Sequence, residues 1–98
     1  MYQRIPVIYN VEMILANTEY SQELPAWVKS FSINCRTPYE MRFAFETGKV
    51  ALSTNPYATI PAVSALIQNH LLGPSSKPIT VYFACSTAGK TAEIIAWS

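Results

Sequence analysis

Aspartate is missing from this 98-residue sequence altogether, histidine occurs once, as His70, and glycine only three times. A metal site would have to be built from one imidazole with glutamate or cysteine partners, a poor donor set, so no metal is expected. A hydrolase triad fares no better. His70 has Glu12, Glu19, Glu23, Glu40, Glu46 and Glu93 to choose from, but no glycine-flanked serine stands out as a nucleophile. Paired glutamates can cleave glycosides, yet only across a deep cleft that so short a chain rarely forms. The expectation is a protein that is not an enzyme and carries no cofactor, its carboxylates solvating strand ends and turns.

Charge is scarce as well. Charged residues make up 13% of the chain, about half the roughly 25% usual for a soluble domain. The net charge is +1 without any basic cluster, which argues against nucleic acid as a partner. No run approaches the roughly 18 apolar residues that cross a bilayer, and MYQRIPVIYN has no basic segment followed by a purely apolar one. A soluble protein made in a cytoplasm, with no membrane partner, is the expectation. Cys35 and Cys85 are then expected buried and reduced rather than bridged, although two cysteines of one sandwich core can lie side by side. Hydrophobic residues make up 50% of the chain. That leaves two readings open: surface reserved for a partner, or a compact β domain rich in Ser, Thr and Tyr.

What is present is alternation with a period of two, the mark of half-buried strands. Phe31-Ser32-Ile33-Asn34-Cys35-Arg36 and Met41-Arg42-Phe43-Ala44-Phe45-Glu46 both carry it. Thr37-Pro38-Tyr39 between them is turn chemistry, so the two strands form a hairpin or cross to a facing sheet. Val7 to Leu15 reads as a long strand, with Val7, Tyr9, Val11, Met13 and Leu15 on one parity. The segment from Asn17 to Pro25 reads as a turn, a short edge strand and a second turn. Asn55-Pro56 marks a turn before Tyr57 to Ile60. From Ala62 to Leu72 a strand and loop is favoured over a short helix, because Pro61 and Gly73-Pro74 leave barely three turns. Ile79 to Cys85 and Ala92 to Trp97 flank a polar turn and read as a β-hairpin. The sum is all-β: one domain over residues 1–98, a single jelly-roll-like β-sandwich of about seven to eight antiparallel strands. Parity places Phe31, Ile33, Cys35, Phe43, Phe45, Val81, Phe83 and Cys85 on inward faces.

Ala84-Cys85-Ser86-Thr87-Ala88-Gly89-Lys90-Thr91 fits a relaxed phosphate-loop pattern. Such a loop must open a long helix and needs a later acidic residue for Mg²⁺, whereas the residues after Thr91 alternate as β. The segment is read as a turn, with Gly89 supplying a positive φ. Aromatics are plentiful, and most belong in the core. Tyr2, Trp27, Tyr57 and Trp97 are the candidates for an interface, since Tyr and Trp are enriched at protein contacts and sugar-stacking surfaces.

The order of three segments, LPAWVKSFSINCRTPYEMRFAFETGKV, PYATIPA and ITVYFACSTAGKTAEIIAW, resembles a group of small virion-associated β-sandwich proteins of tailed phages. The likeness runs from about Val7 to Trp97. It departs after Ala62, where an acidic, Gly-rich segment of the group is replaced by Val63 to Leu72. The resemblance implies a structural role in a virion, as a capsid decoration (cement) or head-tail accessory protein. Its partner would be the major capsid protein or another virion structural protein, with self-association, as a trimer, also in view. The alternative is a carbohydrate-binding module of a tail fibre or tail tip, stacking exposed Trp and Tyr on sugar rings.

Overall fold

The computed structural model describes residues 5–62, 65–68 and 78–97. These contain eight β-strands: β1 (Val7–Met13), β2 (Tyr20–Leu24), β3 (Ser30–Cys35), β4 (Met41–Ala44), β5 (Ala58–Ile60), β6 (Ala65–Gln68), β7 (Ile79–Cys85) and β8 (Lys90–Trp97). They form two antiparallel four-stranded sheets, ordered β1-β8-β3-β6 and β2-β7-β4-β5. The first is called the open sheet below and the second the covered sheet.

The topology is that of one long ribbon rolled up. First pairs with last, Val7 opposite Ala96, then Tyr20 opposite Phe83, Phe31 opposite Gln68, and at the tip Phe43 opposite Ala58. Rolling adds the pairings β3 to β8 and β4 to β7, which close each sheet. Only the β4–β5 connection stays within a sheet; every other one crosses to the facing layer. This is the jelly-roll order, and it is the fold class the alternation implies. β2 lies at an edge, as its polar composition suggests.

The crossings explain one correction. β7 and β8 do not form the expected hairpin: β7 pairs with β2 and β4, β8 with β1 and β3. Both halves of the ribbon bend at the same place. Between Met13 and Tyr20 on one side, and between Phe83 and Lys90 on the other, equal stretches of chain turn the corner together. Each bend has a residue in the left-handed region, Asn17 (φ 50°) and Gly89 (φ 79°). The Asn17 N–H donates to the Cys85 carbonyl (2.8 Å) and the Gly89 N–H to that of Met13 (2.9 Å). The turn residues thus bend a two-stranded ribbon rather than join two neighbours. β3 and β4 likewise cross to opposite sheets.

The core lies between the sheets and contains Met13, Leu24, Phe31, Ile33, Met41, Phe43, Val81, Phe83, Cys85 and Ile94. Phe31, Ile33, Val81, Phe83 and Cys85 are fully buried and Phe43 nearly so, as parity requires. Cys35 is half-buried against this core, and both thiols are free. Phe45 is the second correction. Alternation carries it inward, but β4 ends at Ala44, the chain turns outward, and Phe45 is left 49% exposed. Leu15 is similarly past the end of β1 and exposed. Of the ambiguous stretch after Pro61, Ala65–Gln68 is a strand; the remainder of residues 63–77, His70 included, lies outside the described residues.

The two phenylalanines of MRFAF should therefore respond differently. Phe43→Ala leaves a core cavity and is expected to cost ~3–5 kcal/mol, a large share of the ~5–15 kcal/mol that stabilises a small domain. Phe45→Ala removes a ring already half in water and should cost about 1 kcal/mol. Urea unfolding of both variants measures the contrast; equal costs would contradict the strand end at Ala44.

Candidate functional site

The two outer faces of the sandwich differ. On the covered sheet, the loop of residues 45–57 folds back over β4 and β7. Val50 is fully buried against Ala44 and Ala84, with Tyr57 and Tyr82 packed alongside. Polar contacts hold the loop down. Arg42 donates from Nε to the Val50 carbonyl (2.7 Å) and from Nη2 to Asn17 Oδ1 (2.8 Å). Glu19 accepts from the Thr47 hydroxyl (2.9 Å) and the Gly48 N–H (2.8 Å).

No described segment crosses the open sheet. Its outward residues form two bands that run across the strands. Ile8 faces Ile95, Ile95 faces Ser32, and Ser32 faces Ile67, so an apolar row spans β1, β8, β3 and β6. Ile8 is 63% exposed, Ile67 60% and Ile95 36%. Trp97, two residues along β8 from Ile95, shares this face and is half-buried. The neighbouring row is polar on three strands, Asn10, Glu93 and Asn34, and ends at Ala65 on β6. Glu93 accepts from Arg36 Nε (2.8 Å) and Asn34 Nδ2 (3.2 Å). Those two hydrogen bonds, Arg36 first, hold its carboxyl below the ordinary value against a smaller desolvation cost.

A second apolar feature is an open hollow of about 290 Å³ lined by Phe43, Ala44, Phe45, Glu46, Pro56, Tyr57 and Ala58. Phe45 stands at its wall, edge-on to Phe43 (centroids 5.9 Å apart, planes at 89°) and to Phe31 (6.3 Å, 82°).

The four aromatic candidates do not come together. Trp97 lies on the open sheet; Tyr57, at the end of the 45–57 loop, is half-buried against Ala44, Val50 and Ala84 and lines the hollow; Trp27 is half-buried against the main core, in the β2–β3 connection; Tyr2 lies outside the described residues. The isoleucine row was not among the candidates. Its one sequence signal is the pair Ile94-Ile95, because adjacent strand residues point to opposite faces and one of them must face out. The phosphate-loop look-alike is the ribbon corner: Gly89 leads into β8, and Lys90 Nζ sits 4.2 Å from the centre of the Tyr39 ring. Among the described residues, no group of three or more His, Cys, Asp or Glu is placed to hold a metal ion.

Fold and surfaces together define a two-sheet jelly roll in which, among the described residues, one sheet's outer face is uncovered. Compared with known proteins, the chain matches no family model, and no curated protein matches it. A de novo designed double-stranded β-helix, determined by solution NMR, is similar in fold, with a TM-score of 0.54. It is 13% identical in sequence, and the match covers 97% of this chain and 100% of the design. At that identity the likeness shows the fold alone.

Two outcomes are expected. Because the folded-state pKa of Glu93 is lowered, its stabilisation is present in full above the ordinary carboxylate range and is lost as pH falls through the lowered value. The pair is largely exposed, so Glu93→Gln should cost about 1 kcal/mol or less at neutral pH, and the wild-type and variant unfolding curves should merge in acid. An offset that persisted there would refute the assignment. Gly89→Ala meets no atom within 4 Å, and its cost should be the left-handed backbone alone, ~1–2 kcal/mol. Calorimetric titration with ATP should show no heat, and ATP binding abolished by Lys90→Ala would overturn the corner reading.

Proposed function

We propose that this chain is a non-catalytic virion structural protein of a tailed phage, a capsid decoration (cement) or head-tail accessory protein. It docks on a symmetric protein shell through the outer face of the open sheet. The observation that carries the docking surface is the Ile8–Ile95–Ile67 row, an apolar band broken only by Ser32 on β3, on the sheet that no described segment covers. Beside it run Glu93, Asn34 and Arg36, and an apolar centre with a polar rim is the usual anatomy of a protein interface. The particle itself is suggested by the order of the strand segments in the sequence. The partner is the major capsid protein or another virion component, met in the host cytoplasm where the chain is made. Copies of the chain associate on the particle, as trimers if they sit at threefold positions. Repeated identical sites let a small interface per copy suffice, since avidity multiplies weak contacts.

The test is addition of purified protein to shells that lack it, followed by cosedimentation and mass spectrometry of native virions. Ile95→Arg places a charge in the centre of the row and should weaken binding by roughly 30-fold or more, the scale of a hot-spot loss of ~2 kcal/mol, with the fold intact. Absence of the chain from purified virions, together with no binding to shells, would end the proposal. Binding to host polysaccharide that survives Ile95→Arg but not Trp97→Ala would instead support a carbohydrate-binding module of a tail fibre or tail tip.

A further inference from the structure

The hollow beside β5 lies on the other sheet from the isoleucine row and calls for its own occupant. Three observations converge there. β5 is an edge strand with no neighbour beyond β4 among the described residues, and its Ala58 and Thr59 are exposed. An exposed edge offers unpaired backbone groups to an incoming strand. The hollow adjoins that edge: Ala58 lines it, as does Phe43, its cross-strand partner. Its wall, Phe45, is half exposed yet fixed by two edge-to-face contacts with Phe31 and Phe43. A rigid, solvent-facing aromatic loses little entropy on making a contact, which is what anchors of binding sites have in common.

We infer that β5 and this hollow form a docking site for an extended segment of another protein, which adds a strand to the covered sheet and seats one large apolar side chain between Phe45 and Tyr57. In strand addition, main-chain hydrogen bonds supply affinity and side-chain pockets supply selectivity. About 290 Å³ of open space, at the low end of ligand-pocket sizes, has room for one large apolar side chain. Charge sets the rest of the preference. Among the described residues, Glu46 is the one charged residue lining the hollow, and it is exposed. A lysine or arginine flanking the apolar anchor is therefore favoured, and an acidic flank is disfavoured. This site is independent of the open-sheet row, so either can fail without the other.

Two acetylated, amidated heptapeptides serve as probes, each with two threonines at either end and phenylalanine at its centre, one flanked by lysines and one by glutamates. Titration into ¹⁵N-labelled protein should shift amides of Phe43–Glu46 and Ala58–Ile60, with the lysine probe binding at least about tenfold tighter. Glu46→Lys should invert that preference, and Phe45→Ala should weaken both probes by about tenfold or more, with the melting transition still present in each variant. Ile95→Arg should leave the lysine probe unaffected. The inference fails if no shifts occur at these residues, if they occur elsewhere, or if both probes bind alike. It also fails if the same amides shift on raising protein concentration without a probe, since a second copy of this chain would then be the occupant.

Discussion

One register governs the molecule. The chain pairs with itself as a ribbon, from Phe43 opposite Ala58 at the tip to Val7 opposite Ala96 at the ends. Because side chains alternate between faces, a slip of one residue anywhere along it would turn a core row outward. Phe31 and Ile33 on β3 and Val81, Phe83 and Cys85 on β7 are all fully buried on one parity. The corners preserve this. Equal lengths of chain cross between sheets on the two sides of the ribbon at Asn17 and Gly89, so the pairing of β1 with β8 continues into that of β2 with β7 without a shift. Left-handed residues at both bends are then a geometric demand of the turn, and the backbone hydrogen bonds across it hold the two strands together while they change sheets.

The same topology produces the difference between the faces. A rolled ribbon has a single tip, and its loop can fold over only one sheet. Here it covers β4 and β7, with Val50 as the buried plug and Glu19 and Arg42 as ties to the β1–β2 corner. Arg42 matters twice, since it satisfies the carbonyl of the buried Val50 and reaches the bend residue Asn17. Loop, strand and corner are thereby one unit. Among the described residues, nothing equivalent lies over the outer surface of the sheet of β1, β8, β3 and β6.

Period-two patterns within a strand were readable at once, because the information is local: the parity of Phe31 and Ile33, or of Val81 and Phe83, needs no knowledge of neighbours. Three things were not local. Where a strand ends is set by where its partners end. MRFAFE alternates through Phe45, but pairing with β5 stops at Phe43 and pairing with β7 at Ala44, and the ring falls outside. A turn signal says that the chain bends, not whether it returns to the same sheet, so the polar turn from Ser86 to Lys90 reads as a hairpin and is a crossing. Lastly, Ile8, Ile67 and Ile95 become a surface only through register between strands far apart in sequence. Tyr and Trp drew the eye as interface residues by composition, yet Trp27 and Tyr57 are packed against cores.

The make-up of the open sheet's outer face also bears on what the proposed docking surface would select. The apolar row is interrupted by Ser32, and the row beside it is charged and hydrogen-bonded through Glu93, Arg36 and Asn34. A random apolar contact would have to bury the Glu93 carboxylate and its partners without compensation, and desolvating charged groups without new partners is costly. A partner shaped to cover the isoleucines while leaving that band in water meets no such cost. Discrimination therefore resides in the polar row and attraction in the apolar one. Three isoleucines give a modest contact by themselves, which fits the proposed binding of many copies side by side.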